Sequence, residues 1–176
     1  ELLDCYGNNL TSLDVSSNPA LIQFRCDVNQ LTALDVSANT ALTTLYCDNN
    51  AITSLDVSSN TNLTELSCGE NVLTALDVSA NPALTSLSCS DNQLTSLDVR
   101  ENTALEQFRC DNNQLTYLNM SNGVTDQLTT FNATNNSLDC IEVNAEDVDY
   151  ATTNWTNGNG NIDDGVTFAN ICSSNP

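Results

Sequence analysis

Four kinds of residue in this sequence could do chemistry, and each recurs at a fixed spacing. The first is cysteine. Cys5, Cys26, Cys47, Cys68, Cys89 and Cys110 stand at a constant interval of 21 residues. Regularly spaced thiols suggest a metal or redox ladder. No C-x-x-C pair and no histidine accompany them, so a zinc site lacks its usual partners. The plainer reading, a column of small buried hydrophobes, is the one we favour. The second kind is aspartate: Asp14, Asp35, Asp56, Asp77 and Asp98 share the same 21-residue interval, continued by Asn119 and Glu142. Stacked carboxylates suit calcium, a hard cation that takes oxygen ligands. A row at strand spacing, about 4.8 Å, would also repel itself and raise some of its pKa values. The competing and favoured reading is a solvated face, each Asp bonding to nearby backbone or Ser. The third kind is asparagine: Asn29, Asn50, Asn71, Asn92, Asn113 and Asn136 in one column, and Asn18, Asn39, Asn60, Asn81 and Asn102 in another. Asn amides satisfy backbone groups that turns leave unpaired, so these read as structural. The fourth is a set of varied polar positions, treated below.

The elements that must hold these columns follow from the repeat. Each 21-residue unit is double. An 11-residue half, L-x-x-L-D-V-x-x-N-x-x, precedes a 10-residue half, L-x-x-L-x-C-x-x-N-x. Half-positions 1, 4 and 6 are apolar. The step from 4 to 6 has the period of a short strand with one buried face. Ten or eleven residues leave no room for a helix of ordinary length, about 11–12 residues. Such a unit buries its apolar edge only against its neighbours. We therefore expect a β-rich solenoid of parallel strands with little or no α-helix. One side should be a continuous sheet and the other more irregular. The solenoid spans 1–137, with a fragmentary half-unit at 1–9 and units from 10, 31, 52, 73, 94 and 115. The last half-strand and a cap occupy 138–176. No N-terminal cap is recognisable at Glu1–Asn9, which further repeats upstream would explain.

The L-x-x-L-x-(V/C)-x-x-N pattern resembles the core of the leucine-rich repeat. Its doubled 21-residue form is similar to the short repeats of secreted and surface proteins of the Bacteroidetes. The resemblance implies a right-handed solenoid and a ligand-binding role. The segment from Leu138 to Cys172 is similar to the C-terminal cap of those proteins, with Trp155 and Phe168 as plugs and Ile162 and Val166 beside them. Cys140 leaves the cysteine column for an outward half-position, and Cys172 is its natural partner. A cap disulfide fits an oxidising, extracellular setting. The run NGNGNIDDG at 157–165 fails the EF-hand spacing and reads as a flexible loop, with adventitious calcium as the only metal it suggests.

Composition narrows the function. Acidic residues number 23 against three arginines, with no lysine, for a net charge of −20. That argues against nucleic acid and against docking on anionic membranes. No apolar run reaches the ~18 residues of a membrane helix. The outward positions of the cysteine halves are the candidate binding face: Gln23, Arg25, Asp27, Tyr46, Asp48, Glu65, Gln107, Arg109 and Asp111, with smaller residues between. The aspartate face is monotonous while this one varies. It also carries two of the three bases, and Arg and Tyr most often anchor interfaces. We expect a non-catalytic, extracellular module, secreted or at the cell surface and part of a larger chain. Its ligand is a protein or a polysaccharide, and it needs no cofactor unless calcium bridges an acidic glycan. The alternatives are a structural spacer and, less favoured, a calcium-dependent lyase built on Arg109 with Asp91, Asp98 or Asp111. A Thr column at half-position 2 suggests ice binding, but it precedes the strand.

Overall fold

The structure is a computed structural model that describes residues 1–172. Each coil returns the chain to the same direction one strand spacing further on, so neighbouring strands pair parallel. The cysteine halves give β1 (Leu2–Asp4), β2 (Gln23–Arg25), β3 (Thr44–Tyr46), β4 (Glu65–Ser67) and β5 (Ser86–Ser88). The other half first forms a strand at β6 (Ser96–Asp98). Beyond it come β7 (Gln107–Arg109), β8 (Tyr117–Asn119), β9 (Thr130–Asn132), β10 (Cys140–Glu142), helix α1 (Val148–Asn154) and β11 (Thr167–Ala169). The long sheet has seven strands in the order β1-β2-β3-β4-β5-β7-β9. The second has four, in the order β11-β10-β8-β6. The continuous side is thus the cysteine side. On the aspartate side the earlier coils do not pair as strands.

Register is uniform. Phe24 pairs with Leu45, Leu45 with Leu66, Leu66 with Leu87, Leu87 with Phe108 and Phe108 with Phe131. These central residues all point inward and are buried. Burying one such side chain contributes roughly 1.5–3 kcal/mol. Cys26 to Cys110 are buried behind them, level with Val15, Val36, Val57, Val78 and Val99 on the opposite wall. Three of these thiols lean along the solenoid: Cys47 Sγ donates to Ser67 O at 3.5 Å, Cys68 Sγ to Ser88 O at 3.6 Å and Cys89 Sγ to Arg109 O at 3.5 Å. Burial pushes the Cys26 thiol up to about 12 and those of Cys47, Cys68 and Cys89 well above their usual range. Protonated and dry, they are packing groups and not nucleophiles.

The asparagine columns stitch coil to coil. Asn71 Nδ2 donates to Cys47 O, Cys68 O and Gly69 O at 3.0–3.2 Å, and its Oδ1 accepts from Ile52 N at 3.0 Å. In the other column Asn60 Nδ2 donates to Val36 O and Asn39 O, while its buried Oδ1 finds no donor among the described residues. Thr64 and Thr85 at half-position 2 donate their hydroxyls to carbonyls of the preceding coil. They too are stitching groups.

The last coil is closed by the cap. Trp155 stacks between Phe131, with ring centroids 4.2 Å apart, and Phe168 at 5.8 Å. Cys140 and Cys172 are joined, with Cα atoms 5.9 Å apart. The 157–165 run is not a free loop. Asn161 O accepts from Ala133 N at 2.7 Å, and both oxygens of Asp163 accept backbone N–H groups, from Asn135 and Asn136, at 2.9 Å. This segment therefore covers backbone donors beyond β9 that would otherwise face solvent. The insertion at 122–127 docks on the cap, with Thr125 donating to Asp147 at 2.9 Å.

Candidate functional site

Outward side chains of the long sheet come from three positions per strand, alternating with the buried central residue. The middle outward row reads Arg25, Tyr46, Ser67, Ser88, Arg109 and Asn132. The next row reads Asp27, Asp48, Gly69, Ser90, Asp111 and Thr134. Long side chains thus stand at β2–β3 and again at β7, with only Ser and Gly between. Gln23 and Gln107 are exposed on the third row, while Glu65 is half-buried.

At the β2–β3 end, Arg25 is sandwiched. Its guanidinium lies 5.5 Å from the Tyr6 ring centroid and 5.7 Å from that of Tyr46, within cation–π range. It also pairs with Asp4 at 3.6 Å and Asp27 at 3.7 Å. The Tyr46 hydroxyl donates to Glu65, and that hydrogen bond to a carboxylate pushes the phenol up to about 12. At the far end Arg109 Nε pairs with Asp111 at 3.3 Å, and Ser90 Oγ donates to the same carboxylate at 2.7 Å. Between them, Asp48 Oδ1 accepts from Ser67 Oγ at 2.7 Å and Gly69 N at 2.8 Å. Its pKa is raised, because burial outweighs those bonds. Gly69 fits because a Cβ there would sit 3.1 Å from Asp48 Oδ1 and from Ser90 O. Two adjoining depressions run along this stretch, and Asp48 and Ser88 line both.

The structure changes three readings of the sequence. Asp111, read as an outward ligand-binding residue, is buried under Ser90 and Arg109. Tyr6 and Ser88 were not singled out, yet Tyr6 completes the arginine sandwich and Ser88 floors the depressions. Tyr6 lies at the strand-exit position of the fragmentary first half-unit, which is the signal that could have found it. The third change concerns the aspartate column, where raised pKa values were expected. Those of Asp14, Asp35, Asp56 and Asp77 are lowered instead. In each, the hydroxyl and the backbone N–H of the Ser two residues on hold the ionised form, with N–H distances of 2.9 Å. At Asp35 and Asp77, where neighbouring carboxylates push the other way, hydrogen bonding outweighs the repulsion. Asp98 is instead held by Arg100. Among the described residues no three His, Cys, Asp or Glu side chains converge on a point where a metal could sit. Of the lyase-like candidates, Asp111 pairs with Arg109 and Asp91 borders the same depression, but Asp98 stands apart. Asp98 lies in β6 on the second sheet, while Arg109 lies in β7 on the long one.

Residues 40–81 match the family model described as leucine rich repeats (2 copies). No curated protein matches the chain in sequence. Among solved structures, the functional domain of InlJ from Listeria monocytogenes, which includes a cysteine ladder, is 36% identical with a TM-score of 0.59. That alignment covers 81% of this chain and 39% of the other. An internalin (inlF) from the same species is 28% identical, with a TM-score of 0.63, over 71% of this chain and 39% of that one. A leucine-rich repeat protein of Leptospira interrogans, 22% identical with a TM-score of 0.65, covers 79% of this chain and 44% of the other, and shows likeness of fold alone. The chain therefore spans about two fifths of the length of each of these solved chains.

Proposed function

We propose, from the premise that this chain is a leucine-rich repeat protein, that it is a non-catalytic interaction module that binds a protein through the long sheet face. It acts within a secreted or surface-attached protein. One observation carries the reading. The aspartate face repeats itself and its carboxylates are committed to neighbouring Ser residues. Depressions occur on both faces, but only the long sheet face varies from coil to coil, with its depressions set between a Tyr–Arg–Tyr stack and Arg109. A shallow, extended surface with arginine and tyrosine anchors suits a macromolecule better than a small molecule held in a deep pocket. Polysaccharide is the second ligand class. Tyr6 and Tyr46 offer ring surface, but both rings are already engaged by Arg25.

The test is selection of a displayed random 12-residue peptide library on the full chain. An Arg25→Ala/Tyr46→Ala/Arg109→Ala variant runs in parallel with an Asp35→Asn/Asp56→Asn variant of the other face. Peptides retained by wild type and the second variant, but lost by the first, support the reading. Indifference to the first variant sinks it. A parallel gel-retardation panel of neutral and acidic polysaccharides, with and without calcium, would transfer the site to carbohydrate if one is retarded by wild type and released by the first variant.

A further inference from the structure

The following rests on the long sheet face being the binding face, and it names the chemistry of the partner. We propose that this face receives a protein segment bearing lysine or arginine, with a cationic side chain seated in the notch over β4 and β5.

Two features converge there. The first is relief. Tyr46 and Arg109 stand on strands three steps apart in the sheet, about 14 Å at ordinary strand spacing. Ser67 and Ser88 lie between them, and Gly69 leaves one floor position without a Cβ. That opening admits one extended chain with its side chains directed inward. The second is charge. The notch is bordered by Asp48, Glu70 and Asp91, none of which forms an ion pair among the described residues. Both arginines on the face are already held, Arg25 by Asp4 and Asp27, and Arg109 by Asp111. Among the described residues Asp48 is held by Ser67 Oγ and Gly69 N, and no base on this face is left to neutralise it. Together these give an acidic, hydroxyl-lined notch between Tyr46 and Arg109, which complements a basic peptide strand. An acidic or neutral polymer would leave Asp48, Glu70 and Asp91 uncompensated.

The experiment is calorimetric titration of the full chain with the 12-residue peptide (Lys-Ser)6 and its neutral counterpart (Gln-Ser)6. Ser88→Tyr fills the notch without altering charge, as Tyr46 already does two strands away. Asp35→Asn/Asp56→Asn/Asp77→Asn removes three charges from the other face. The expected result is binding of the lysine peptide only. Ser88→Tyr weakens it at least tenfold, and the triple variant by less than threefold. Equal weakening by both variants would reduce the interaction to diffuse charge and overturn the proposal, as would absence of binding. Binding of the glutamine peptide that Ser88→Tyr abolishes would overturn the basic partner while leaving the face itself intact.

Discussion

The two asparagine columns look alike in sequence, but their removal should cost different amounts. Asn71 engages both ends of its amide. Its Nδ2 has two hydrogens shared among three carbonyls, and its Oδ1 accepts the buried Ile52 N–H at 3.0 Å. Asn60 engages one end, donating to Val36 O and Asn39 O at 2.9–3.0 Å, while its Oδ1 is buried without a donor. Replacing either residue with Ala loses two donated bonds, each worth about 0.5–1.5 kcal/mol net. The carbonyls left behind tolerate this, since a carbonyl keeps a second lone pair. Only Asn71→Ala also orphans a buried N–H, a further cost of about 1–3 kcal/mol. Asn71→Ala should therefore destabilise by about 4 kcal/mol and Asn60→Ala by about 2, the sums of those ranges at their midpoints. Urea unfolding monitored by both circular dichroism and Trp155 fluorescence would measure the difference, with coincident transitions as the check that the solenoid unfolds as one unit. Equal costs, or a larger cost for Asn60→Ala, would refute the reasoning. The orphaned amide would then not be the term that separates the columns.

Val28 sits at the left-handed turn position that Asn49, Asn112 and Asn135 occupy in other coils, with φ 56°. Because its side chain is 40% exposed, Val28→Asn should stabilise by about 1 kcal/mol, read as a higher urea midpoint with unchanged slope. The aspartate column contributes to pH dependence with a definite sign. The folded pKa values of Asp35, Asp56 and Asp77 lie below their unfolded ones, held down by Ser hydroxyl and N–H groups. Their contribution is therefore present above the unfolded pKa, about 3.9, and is lost as pH falls through the folded values. Asp48 acts oppositely, since burial raises its pKa and protonation favours the folded form. Between pH 5 and 2 the stability gap between wild type and Asp35→Asn/Asp56→Asn/Asp77→Asn should close, whereas Asp48→Asn should gain most at neutral pH. The urea midpoint against pH checks both.

The sequence was enough for the architecture, because its information is periodic. A 21-residue interval with Leu, Val and Cys at alternating positions admits one arrangement in which every coil buries its edge. The core residues Phe24, Phe108 and Phe131 and the dry cysteine column follow from it. The binding face was legible only in outline. Arg25, Tyr46, Asp48 and Arg109 do line or border one surface, but Asp111 is buried and Tyr6 joins from the irregular first coil. What the tertiary structure alone decided are contacts between residues one coil apart whose direction the pattern does not encode. Nothing local says that Asp48 turns toward the gap at Gly69, or that Ser90 covers Asp111. Likewise nothing local says that the 157–165 run lies against the edge of β9, with Asp163 facing the backbone of Asn135 and Asn136. Nor does it say that the Asp–Ser hydrogen bond outweighs repulsion at Asp35 and Asp77. A repeat specifies which positions face inward through its own period. Which neighbour an outward side chain reaches depends on what the adjacent coil presents, and that is set only once the coils have stacked.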